Sequence, residues 1–194
     1  VVTCDLPIGL RGTAAVARTL ADAFGADRRS LDATLEREAA RVEARLGPAR
    51  DRLPRASAAL FLDAPLAAGV YGWLDELGVR VPLVCLTDGD PDGERRFRQA
   101  LARLGVPAPD RPRVVANATR DGGLRAFRET LRGQGPVFAV GTAQQRVLEA
   151  ACEARVVELA FPSWGQHWIV PMPWLGHAGA VSLAQRFLDA LRPW

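Results

Sequence analysis

The chain of 194 residues contains no lysine, so all 25 of its basic side chains are arginine. Those arginines are interleaved with acids, as in Glu36-Arg37-Glu38 and Glu94-Arg95-Arg96, and the formal net charge is only +3. A nucleic-acid surface needs cations clustered with stacking aromatics. That pattern is missing, and no nucleic-acid partner is expected. No apolar run approaches the roughly 20 residues of a membrane-spanning helix, so no membrane span is expected. The opening Val1-Val-Thr-Cys-Asp5 has no basic stretch ahead of an apolar one, which argues against a secretory leader. A cytoplasmic piece of a longer protein is the expectation. Cysteine is scarce too: Cys4, Cys85 and Cys152 are far apart and form no CxxC or Cys/His pair. This excludes a disulfide framework and a recognisable metal motif. Neither GxGxxG nor GxxxxGK[ST] occurs, so a dinucleotide or P-loop site has no support.

What is present is a rhythm. From residue 56 onward, short apolar runs alternate with amphipathic stretches. Ala58-Ala-Leu-Phe-Leu62, Val79 to Leu86, Arg113-Val-Val-Ala116, Pro136-Val-Phe-Ala-Val140 and Arg155 to Ala160 read as five strands. Helical spacing separates them, and a last helix is predicted from near Gly176 to Leu191. Strands of this kind, buried on both faces, indicate a Rossmann-like open parallel sheet of about five strands with helices on both sides. Residues 1–54 are expected to be a strand (1–6) and connecting helices, and residues 55–194 the α/β domain. Thr13 is the expected cap of a helix over 14–24, and Ser30 or Asp32 of a second helix ending at Gly47-Pro48.

Chemistry in such a sheet sits in the loops after the carboxyl ends of the strands. After the second strand, Asp88, Asp90 and Asp92 alternate with Gly89 and Gly93. A calcium loop would need a bidentate Glu at its twelfth position. There is none, and a turn with a helix cap explains the run better. Gly141-Thr142 follows the fourth strand and offers N–H groups suited to an anion. The richest loop follows the fifth strand: Ser163, Trp164, His167, Trp168 and Trp174 lie between prolines. Indoles there stack on a flat ligand or anchor a partner protein, unless they fold inward as a roof over the core. Of the two histidines, His167 is the candidate catalytic residue, because an imidazole titrates near neutral pH. His177, at the start of the last helix, is read as packing or capping.

Three motifs then occur in order: Leu6-Pro-Ile-Gly-Leu-Arg-Gly-Thr13 before a helix, Gly141-Thr-Ala-Gln-Gln-Arg-Val147 after a strand, and Phe161-Pro-Ser163 leading to Pro173-Trp-Leu-Gly-His-Ala-Gly-Ala180. Together they resemble the carboxyl-terminal portion of nitrogenase component 1 subunits. That family takes in molybdenum-iron protein subunits, cofactor-assembly scaffolds and the dark-operative protochlorophyllide and chlorophyllide reductases. The resemblance spans nearly the whole chain. It implies a subunit of an oxidoreductase, paired with a related subunit and fed by an ATP-dependent iron–sulfur reductase. It also implies an iron–sulfur cluster in the full complex, with none expected on this portion alone, since the family's cluster cysteines lie mainly in the amino-terminal part. The place of the family's histidine ligand to the molybdenum cofactor reads Leu159-Ala160-Phe161 here, so that role has no counterpart. A tetrapyrrole-type substrate, matched to the tryptophans, is therefore favoured over dinitrogen. The alternative is a non-redox binding module of the same fold, either an assembly scaffold or a regulatory domain.

Overall fold

Alternation along each strand decides which layer its side chains join. In β1 (Ser57–Leu62), Ala58, Leu60 and Leu62 enter one apolar cluster, and Ala59 and Phe61 enter another. The computed structural model of the chain describes residues 1–106, 112–160, 163 and 172–191. Within them β1, β2 (Arg80–Leu86), β3 (Arg113–Val115), β4 (Val137–Gly141) and β5 (Arg155–Glu158) form one sheet in the order β3-β2-β1-β4-β5. Every neighbouring pair is parallel. The expected five-stranded open α/β fold is what the chain adopts. Among the described residues no helix is long and apolar enough to cross a membrane.

One layer of helices is α3 (Ala64–Glu76), α4 (Gly93–Arg103) and α7 (Gly176–Ala190), with α1 (Gly9–Phe24) and α2 (Arg28–Arg52) packed outside α3 and α7. The opposite layer is thinner. It consists of α5 (Arg120–Leu131) and the short α6 (Val147–Cys152), which bury Phe127, Leu131 and Leu148 against Phe61, Cys85 and Ala139. Ile8, Val42 and Leu46 share the apolar cluster of the first layer with the strands. At its centre Phe187 of α7 is fully buried, its ring 5.4 Å from Trp73 and 4.9 Å from Phe138. One aromatic side chain therefore joins α3, β4 and α7.

The amino-terminal third differs from expectation in four places. No strand forms over residues 1–6, and α1 begins at Gly9 rather than after Thr13. Thr13 lies inside the helix and turns its hydroxyl back to the carbonyl of Gly9. The cap comes from a distant carboxylate instead: Glu76, at the end of α3, accepts the N–H groups of Leu10 and Arg11 at 2.9 Å each. Helix α2 is capped by Asp27, which accepts from Arg29 and Ser30, and Asp32 pairs with Arg18. Pro48 does not stop α2 either. The missing proline N–H costs one helical bond, but Leu46, Ala49 and Leu53 are buried around it and hold the helix on the core.

Truncating Phe187 to Ala should remove about 3–5 kcal/mol of stability. Truncating the exposed Phe24 should change it by no more than about 0.5 kcal/mol. Urea denaturation of both variants measures the difference.

Candidate functional site at the carboxyl edge

In an open parallel sheet the helices after two adjacent strands diverge where the strand order reverses, leaving a crevice. Here the reversal lies between β1 and β4, so the crevice opens beyond Leu62 and Gly141. Gly141 is buried, and a Cβ there would sit 2.9 Å from the carbonyl oxygen of Phe61 and 2.6 Å from Gln145 Oε1. Only glycine lets β4 leave the sheet this close to β1. Thr142 then opens a capping box: its N–H donates to Gln145 Oε1 at 2.6 Å, and its hydroxyl accepts from the N–H of Gln144. The N–H groups of Thr142 and Gln144 are thereby taken within the turn. The expected single helix is also divided, into a 3-10 turn at Ala143–Arg146 and the short α6.

At the mouth of the crevice on the β1 side, Asp63 caps α3 through the N–H of Leu66, and Asp88 accepts the N–H of Ala64 at 3.0 Å. Asp90 accepts from the N–H of Asp92 and pairs with Arg96. Arg95 hydrogen-bonds Asp92 and holds its carboxyl below the usual range. Asp63 and Asp88 thus bond the first turn of α3 and Asp90 closes a turn, whereas Asp92, at the start of α4, makes no side-chain cap.

The β5 side is more heavily built. Glu158 is the register partner of Gly141 and is only 2 % exposed. Its Oε1 receives Nε and Nη2 of Arg146, each at 2.7 Å. Its Oε2 accepts the hydroxyl of Ser163, also at 2.7 Å. Its carbonyl accepts Nη1 of Arg186 at 2.8 Å from the other layer. Burial pulls the Arg186 guanidinium down to about 10, against the opposing attraction of Glu158. The guanidinium lies 4.7 Å from the ring centroid of the half-buried Trp174, a cation–π distance. Gly179 makes room for that indole's backbone, since a Cβ there would come within 2.4 Å of the Trp174 carbonyl carbon. Glu158, Arg146 and Arg186 were not singled out in the sequence. A charged residue at the end of an apolar strand, with Ser163 five residues later, was the available signal.

Of the predicted site residues, Gly141, Thr142 and Ser163 thus lie at one edge of the sheet, whereas Trp174 packs on the apolar cluster of the first layer under Arg186. His167, Trp164 and Trp168 lie outside the described residues. A cavity of about 1350 Å³ lies at the opposite edge, lined by Arg132, Gln134, Pro136, Glu149, Cys152 and Arg155. It is far from the reversal of strand order.

The described residues do not fit an iron–sulfur cluster. Cluster ligands are thiolates, whereas burial pushes the Cys85 thiol up to about 12. Cys4 is exposed, and no group of three or more His, Cys, Asp and Glu side chains gathers among the described residues.

Fold and edge together define a Rossmann-like α/β domain with its crevice at the β1/β4 reversal. A family model described as nitrogenase component 1 type oxidoreductase matches residues 1–192, and the chain belongs to that family. Two solved structures titled "Nitrogenase Cp1", at pH 6.5 and at pH 5, share its fold. The first has a TM-score of 0.77 at 17 % identity and covers 97 % of this chain. The second has a TM-score of 0.70 at 16 % identity and covers 95 %. The chain spans 39 % and 40 % of those two chains. None of the curated protein sequences matches it. The first and third of the motifs behind the resemblance also meet in space around one atom. The carbonyl of Pro7 accepts the N–H of Gly176 at 2.7 Å.

Replacing Gly141 with Ala should cost more than about 1 kcal/mol and break the Thr142–Gln145 capping box; denaturation and the amide resonance of Thr142 read both. Because Cys85 stays protonated in the fold up to about 12, while an unfolded thiol ionises near its ordinary value, stability should fall as pH rises through that interval. The slope should be about 1.4 kcal/mol per pH unit. Comparing urea midpoints of the native protein and Cys85→Val between pH 8 and 11 isolates that slope.

Proposed function

We propose that the chain is the carboxyl-terminal part of a nitrogenase component 1-like oxidoreductase subunit. It acts in a complex with a related paired subunit that receives electrons from an ATP-driven iron–sulfur reductase. The substrate class favoured is a flat tetrapyrrole rather than dinitrogen. The observation that carries this reading is the hydroxyl of Ser163 held by Glu158, the register partner of Gly141, at the edge where an open α/β sheet takes its ligands.

In this reading the chain binds and orients. An indole face gives a macrocycle apolar area and offset stacking, and the hydroxyl of Ser163 marks the polar margin. Iron–sulfur chemistry in the complex supplies electrons. The described residues hold no ligand set for it. His167 is the proposed proton donor, an imidazole whose ordinary pKa lets it give and regain a proton near neutral pH.

The test uses the full-length subunit, purified without oxygen with and without candidate partners. An iron–sulfur absorbance band and tetrapyrrole binding are expected. Trp164→Ala and Trp168→Ala should each weaken that binding about tenfold, and His167→Gln should lower turnover with affinity kept. Unchanged affinity in both tryptophan variants would retire the stacking role. Loss of partner association alone, with no iron–sulfur band in any combination, would favour the non-redox binding module.

A further inference from the structure

A buried carboxylate sets strict terms for its neighbours, because each oxygen that loses its donor leaves charge stranded in a poor solvent. Glu158 meets those terms from both layers of the fold. One oxygen is held by Arg146, which stands in the turn before α6, and the other by Ser163. The backbone carbonyl is held by Arg186 of α7, and the same guanidinium lies over Trp174. Charge-assisted bonds of 2.7–2.8 Å in a dry setting are both strong and directional. Ser163 and Trp174, on separate stretches of chain, are therefore fixed relative to one residue. Through strand register that residue is also tied to Gly141.

We infer that Glu158 is a positioning residue for this edge: its carboxylate holds the hydroxyl of Ser163 where a ligand meets it, while its backbone carbonyl anchors Arg186 over Trp174. At 2 % exposure it does not itself face a ligand. The assignment rests on reading the carboxyl edge as the ligand-facing one. It goes further in naming which buried charge sets the geometry. Arg146 completes the device from outside: its side chain is 44 % exposed, yet it neutralises a carboxylate that is 1 % exposed.

Hydrogen–deuterium exchange on the full-length subunit tests the inference, with zinc protoporphyrin IX as the binding probe. Ser163→Ala, Arg146→Met and Glu158→Gln should each raise exchange at Leu159, Ala160 and Ser163 about tenfold, as expected for losing one charge-assisted bond, and leave residues 172–177, anchored through the backbone carbonyl, unchanged. Exchange in β1 and β2 should stay unchanged. Arg146→Lys, which keeps the charge, should restore most of the protection. Affinity for the macrocycle should fall about tenfold in the same variants. Ser163→Ala removes only a hydroxyl, so it decides the matter even if Glu158→Gln fails to fold. The inference is overturned if exchange at Leu159, Ala160 and Ser163 is unchanged in Ser163→Ala and Arg146→Met. A rise that is equal in β1 and β2, or faster exchange with affinity intact, overturns it as well. If the native protein does not bind the macrocycle but the exchange pattern appears, the tetrapyrrole reading fails and the role of Glu158 stands.

Discussion

The carbonyl oxygen of Pro7 is the point on which this arrangement turns. It accepts the N–H of Gly176 at the start of the last helix, across almost the whole length of the chain, and Pro7 itself leads straight into the first helix. Two helices far apart in sequence are thereby set to a common origin. Both then close on α3, where Trp73 and Phe187 meet. An N–H at a helix start has no partner within its own helix, so this bond satisfies a group that would otherwise need a capping side chain. Leu175 indeed supplies no side-chain cap. The carboxyl edge inherits its order from that joint, because α7 also carries Arg186.

Much of the architecture was readable because it rests on short-range signals. Apolar runs bounded by Gly, Pro and Asp marked all five strands, since strands buried on both faces need no alternation to be seen. Asp63 at the head of α3 obeys the local capping rule. The amino-terminal third was less legible because its controls are non-local. Nothing near Gly9 indicates that the cap will be Glu76, and nothing near Pro48 shows that buried neighbours will carry α2 past it. Strand order has the same character, since parallel pairing is set by crossovers and not by the strands themselves.

The site divides in a similar way. Gly141 and Ser163 stood out as residue types at strand ends, and the sheet brings them to one edge. Glu158 did not stand out. A single acid ending an apolar strand looks like any solvated terminus until two arginines, twelve residues before it and twenty-eight after, are seen to converge on it. The partner of the Thr142 N–H is local: Gln145, three residues on, accepts it, a bond that residue type at a strand end does not announce.

The borrowed cap on α1 has a consequence for how the chain must assemble. A first turn whose donors are satisfied only by Glu76, some 65 residues away, has little reason to be ordered before α3 exists. Nucleating a helix is costly without such help. The helix that comes earliest in the sequence is therefore among the later ones to become permanent, and the scaffold of β1, α3 and β2 serves as the template on which it condenses.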